Sequence, residues 1–212
     1  MTPSKTEISS VLVDVRRAYR LLYDYQSAAL DAVKYVGSQL GFSYRDGYPR
    51  FSDAAPRHGK GAFDCWAWDW LNLVHFDFNF YRTTEANEEL GLSIMLFSDS
   101  GFYISENQGA VETDITTFAL AEQSETKIGF VLYRVQEWQE EWDELFYEKD
   151  AIRRFLQHDG DLHPEIRNSG AFGKCFDFAQ LADETSTEAV ITELIRTAEA
   201  HGFPLERIKK AV

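Results

Sequence analysis

Cysteine is scarce: Cys65 and Cys175 are the only two in 212 residues. That excludes a disulfide framework, and a reducing cytoplasm is the expected compartment. Long apolar runs are missing as well, since no stretch approaches the roughly 18 apolar residues that a membrane span requires. The opening MTPSKTEISSVLVDVRRAYR carries Glu7 and Asp14 where a signal peptide needs an uninterrupted apolar core, so neither a leader nor a membrane is expected. Basic charge is in short supply, with 21 Lys or Arg against 35 Asp or Glu and a net charge of −14. An acidic surface repels phosphates, so direct nucleic acid binding is not expected. The chain also lacks a GxSxG elbow, a phosphate loop, a dinucleotide fingerprint, a zinc knuckle, HExxH and EF-hand spacing, and no cofactor is expected.

What is present is ample core material, 44% hydrophobic and 15% aromatic residues, enough for one domain of this length. The charge is unevenly placed. Residues 1–60 hold nine Lys or Arg against six acids, a balance of +3, which leaves −17 for the remainder. Between Glu85 and Asp150 sixteen acids meet only Lys127, Arg134 and Lys149.

The patterning predicts one α+β domain: a mainly antiparallel sheet of four to six strands packed against three helices. The first is a long N-terminal helix over 1–40, with apolar residues from Ile8 to Leu40 recurring at threes and fours and Gly41 at its C-cap. A helix of that length exceeds what a small domain buries, which predicts a bend or break near Gln26–Asp31. Residues 41–61, with Pro49, Pro56 and several glycines, read as a long loop. Strands are expected within 62–135. Among them is an aromatic stretch from Phe63 to Arg82, FDCWAWDWLNLVHFDFNFYR, one strand or two consecutive ones, with an apolar even register and a largely polar odd one. LSIMLFSDSGFYIS reads as a hairpin turning at Ser98–Gly101, and IGFVLYRV as a further strand. The second helix covers 136–158, acidic on one face, with Trp138 and Trp142 as core knobs. A loop over DLHPEIRNSGAFG, a strand at 173–182 and a third helix over 186–201 complete the chain.

Four groups of residues could carry chemistry. His75 and Asp77, with Asp69, share the polar register of the aromatic strand, where neighbouring imidazole and carboxylate suit acid–base work. A sheet's wet face has the same look, and burial of that face would raise the functional reading. The preceding loop supplies Arg45, Arg50, Arg57, His58 and Lys60, cations that bind anionic ligands. His158, Asp161 and His163 have the donors a transition metal takes, in a spacing that equally fits a helix C-terminus and a solvated loop; no metal site is assigned. Glu125-Thr126-Lys127 resembles the ExK half of a metal-dependent nuclease core, with Asp99 or Asp114 as an earlier carboxylate. It precedes its strand, where the chemistry wants it within one. Both cysteines read as small core residues.

Two functions follow as expectations. The first is a non-enzymatic interaction or inhibitor protein, immunity-like, that meets a basic partner through Glu137, Glu140, Glu141, Glu144 and Glu148. The second is an enzyme, for example a metal-dependent hydrolase, or a small-anion-binding protein with its pocket between the 45–60 loop and the polar face of the 63–82 strand. Assembly of copies through exposed aromatics is a third, with the oligomeric state left open.

Overall fold

The computed structural model describes residues 5–52, 71, 73–138 and 141–208, with backbone only at 5–7 and 141–143. The elements run α1 (Lys5–Gln39), β1 (Ser43–Pro49), β2 (His75–Thr83), β3 (Glu89–Phe97), α2 (Gly101–Ile104), β4 (Lys127–Arg134), α3 (Glu141–Tyr147), α4 (Lys149–Gln157), α5 (Pro164–Asn168), β5 (Phe172–Asp177) and α6 (Glu184–Ala200). Short 3-10 turns lie at Ile115–Thr117, Val135–Glu137 and Phe178–Leu181. The fold is α+β: five strands form one antiparallel sheet in the order β1-β2-β3-β4-β5. Residues 1–35 and 36–212 are two compact units, the first made of most of α1.

α1 runs as one uninterrupted helix through Gln26–Asp31, without the expected break there. It is not buried along its whole length, since Ile8, Leu12, Tyr19 and Tyr23 are exposed. Its end is a Schellman cap: Gly41 takes φ +77, its N–H donates to Ser38 O, and Phe42 N–H donates to Gly37 O at 3.0 Å.

Further expectations are corrected. The loop over 41–61 contains β1, an edge strand bulged between Tyr44 and Asp46 that tolerates Pro49 at its end. Gly47 lets β1 lie close on β2, since a Cβ there would sit 2.6 Å from Asp77 O. Of the aromatic stretch, the described part is strand from His75, preceded by Leu73 at φ 64; residues 53–70 lie outside the described ones. The hairpin is at Thr84–Glu88 between β2 and β3. GFYI is helical, started by the Asp99 side chain accepting from Gly101 N–H at 2.7 Å and by Ser100 O accepting from Tyr103 and Ile104 N–H.

The acidic helix is three pieces, a 3-10 turn, α3 and α4, with Glu148 extended between the last two at ψ 139. The DLHPEIRNSGAFG loop holds α5, begun by Pro164 at its first turn and capped by His163. β5 ends at Asp177, after which the chain winds into a 3-10 turn. α6 begins two residues earlier than expected because Asp183, accepting from Ser186 N–H at 2.8 Å, is its cap.

Both sheet faces are covered. One carries Phe78, Phe80, Leu92, Ile94, Leu96, Ile128, Phe130 and Leu132, all buried; Gly37 lies against the Phe80 ring on this side. The other carries His75, Asp77, Met95, Phe97, Val131 and Cys175, and a shared core joins its apolar members to Phe102, Phe146, Ile152, Phe155 and Leu156 from α2, α3 and α4.

Candidate functional site: a cleft on the polar face of the sheet

The pairing register sets Tyr48 beside Asp77, Asp46 beside Asn79, Asp77 beside Met95 and Asn79 beside Ser93. Side chains paired this way share a face, so the polar register of β2 and its neighbours gathers into one row. Where α3 and the 3-10 turn at Val135–Glu137 leave this face uncovered, a cavity of about 280 Å³ opens. Its polar lining is Asp46, Arg50, Asn79 and Ser93; its walls are Tyr48, Tyr81, Tyr133, Trp138 and Tyr147; its apolar floor includes Met95 and Val131.

Beneath it is a buried polar network. Asp77, fully buried, accepts from Arg50 Nε at 2.8 Å and from the Tyr147 hydroxyl. Arg50 lies over the Tyr147 ring, 3.9 Å from its centroid. His75 is 2% exposed, its Nδ1 hydrogen-bonded to Tyr103 Oη at 2.9 Å and its Nε2 3.4 Å from Asp77 Oδ1. The separation is that of an ion pair, yet neither Nε2 nor Oδ1 makes an aligned hydrogen bond. Burial first, then the nearby carboxylates Glu112 and Asp77, raises the Tyr103 pKa far above the usual phenol range. The phenol therefore keeps its proton beside Nδ1. A carboxylate taken out of water requires partners. These partners fix Arg50 and Tyr147, the two members of the network that reach the cavity.

The cleft's own polar groups are arranged more loosely. Asn79 Nδ2 donates to Asp46 Oδ1 at 2.9 Å, and the Tyr81 and Tyr133 hydroxyls are 3.2 Å apart. Tyr133 lies flat over Gly91, where a Cβ would collide with its ring, and its other side meets Trp138 at 4.5 Å between centroids. Arg45 stacks over the Tyr81 ring at 4.8 Å. Ser93 stands apart: it is 8% exposed, lines the cavity, and its Oγ has no hydrogen-bond partner among the described residues. A buried hydroxyl without a partner costs about 1–3 kcal/mol, so its position on the cavity wall is a feature that a ligand could satisfy.

Of the expected site residues, His75, Asp77, Arg45 and Arg50 fall in or under this one region. His75 and Asp77 are beneath the cavity and do not line it. Asp69, Arg57, His58 and Lys60 lie outside the described residues. Glu137, Glu144 and Glu148 are exposed on three different segments, Glu140 is outside the described residues, and Glu141 is described by backbone alone.

His158 ends α4, Asp161 accepts from Arg167 at 2.9 Å, and His163 caps α5. Among the described residues no group of three or more His, Cys, Asp or Glu is placed to share an ion. Lys127 is held by Glu125 at 3.1 Å and Asp177 at 2.9 Å, while Asp99 and Asp114 cap helical turns. Cys175 is buried, and burial pushes its thiol up to about 12, the state of a core residue.

Sequence reasoning missed Ser93, Tyr133, Tyr147 and Asp46, and gave Trp138 to the core alone. Two signals were there: Ser93 is the one hydroxyl in the apolar run LSIMLF, and Gly91 opens the same strand.

Among the described residues no helix is long and apolar enough to cross a membrane. No curated protein and no solved structure matches the chain. A family model does match, over residues 5–205, and the chain belongs to that family, PM0109.

Proposed function

We propose that the chain is a small-molecule-binding protein. Its ligand is a planar, hydrogen-bonding ring with an anionic substituent, received in the cleft between β1 and the polar face of β2 and β3. The observation that carries this reading is Ser93, an unpartnered buried hydroxyl on the wall of an otherwise aromatic cavity. Flat rings on several sides favour a flat ligand. Asn79, Asp46 and the tyrosine hydroxyls meet its edge, and Arg50, the guanidinium on the cavity wall, meets its charge. At about 280 Å³ the space is at the small end of ligand clefts.

Binding is a better description than acid–base catalysis. His75 and Asp77, the pair with the chemistry of a general base, are shut beneath the wall and serve to position Arg50 and Tyr147.

Thermal-shift and calorimetric titration with aromatic carboxylates, nucleobases and their monophosphates tests the reading. Binding by a planar anion that Ser93→Met abolishes, in a variant that keeps its fold, is the expected result. Failure of every planar compound, or binding that Ser93→Met leaves unchanged, would contradict it.

A further inference from the structure

The first unit, most of α1, has a feature that the cleft does not use. Ile8, Leu12, Val15, Tyr19 and Leu22 follow one another at steps of four, three, four and three, and the same steps continue through Gln26 to Ala29, Val33 and Val36. The outward line seven residues apart, Ser10, Arg17, Asp24, Asp31 and Ser38, is polar throughout. A stripe that merely faces a globular core drifts with the 3.6-residue turn. A stripe held at 3.5 residues across this many turns keeps its place only if the helix supercoils around another helix.

The C-terminal end of the stripe is buried at Ala29, Val33 and Val36. Its N-terminal end is open: Ile8 is 46% exposed, Leu12 48% and Tyr19 70%, and Tyr23 and Val11 flank it, also exposed. The five stripe residues with Val11 and Tyr23 beside them make a continuous open apolar strip along this half of the helix. We infer that this half of α1 is a coiled-coil segment and that its partner is the same helix of a second copy of the chain.

Self-pairing follows from the flanking positions. Coiled coils that select a different partner do so with opposite charges beside the seam. Here Ser9, Val11, Ala18, Tyr23 and Tyr25 are uncharged and Arg16 alone carries charge, so little repels an identical helix. Closed assemblies of like copies are also the common outcome for such surfaces.

The test is the mass of the full chain in solution, by sedimentation equilibrium over a wide concentration range. Twice the chain mass or a higher multiple is expected. Leu12→Lys with Leu22→Lys should return it to the single-chain mass without moving the unfolding midpoint of the sheet, since both side chains are already exposed. Asp24→Lys, the same charge placed on the outward line, should keep the multiple. A single-chain mass for the unaltered protein at its highest concentration would overturn the inference. So would a multiple that survives the double substitution, or one that Asp24→Lys also abolishes.

Discussion

The two faces of the sheet are built from the same three central strands by different rules. On one, Phe78, Phe80, Leu92, Ile94, Phe130 and Leu132 are buried with no polar side chain among them. On the other, a fully buried carboxylate, a buried imidazole and an unpartnered hydroxyl share the surface with Met95 and Val131. The first face spends its residues on burying apolar area, which is where stability comes from. The second accepts the cost of burying polar groups around a cavity, the arrangement expected where a site is kept at the expense of stability.

Substitutions should separate the faces. The largest stability loss is expected from Leu92→Ala on the closed face, about 3 kcal/mol for a fully buried leucine, measured by urea unfolding, with ligand binding retained in the folded fraction. Asp77→Ala should come close, about 3 kcal/mol, because His75, Arg50 and Tyr147 would lose their common partner. Unlike Leu92→Ala it should also abolish binding, since Arg50 and Tyr147 would no longer be fixed at the cavity; a folded Asp77→Ala protein that still binds would erase the distinction.

Gly91→Ala should cost about 1 kcal/mol or more, as an overpacked contact does, but should displace Tyr133 from the cleft wall, visible as altered fluorescence of the adjacent Trp138. Ser93→Ala should be close to neutral or slightly stabilising, because it removes a buried hydroxyl that has no partner. A loss above about 2 kcal/mol would mean that Ser93 is a structural hydrogen-bonding residue.

A separate effect is confined to alkaline pH. The Cys175 pKa is raised to about 12 from an ordinary 9.0. The folded state therefore holds a proton that the unfolded state releases across that window, and stability should fall as pH rises from 9 towards 12. Cys175→Ala should flatten that slope by one proton.

The class of fold was legible because its signals are periodic: the threes and fours of α1, the alternation from His75 to Tyr81, the apolar run of β4. Boundaries were lost where one side chain decides the local structure. Asp99 turned an expected strand into α2, and an extended Glu148 broke an acidic helix between α3 and α4. β1 was hidden because an edge strand can hold a bulge, Gly47 and Pro49, which otherwise spell a loop.

Half of the cleft was legible too. Alternation placed His75, Asp77 and Asn79 on one face and put Arg45 and Arg50 near it. What could not be read was that Tyr147 and Trp138, about seventy and sixty residues further on, return to close that face, since such pairings depend on strand register and not on local pattern.

The central claim is that this cleft binds a ligand. Amide chemical-shift mapping of the full chain against a library of planar anions and neutral rings tests it most directly. Shifts from the planar anions, concentrated on Asp46–Arg50, Asn79–Tyr81, Ser93–Met95 and Val131–Val135, are the predicted result. Shifts scattered over the closed face or along the exposed acids, with none in those four segments, would contradict it.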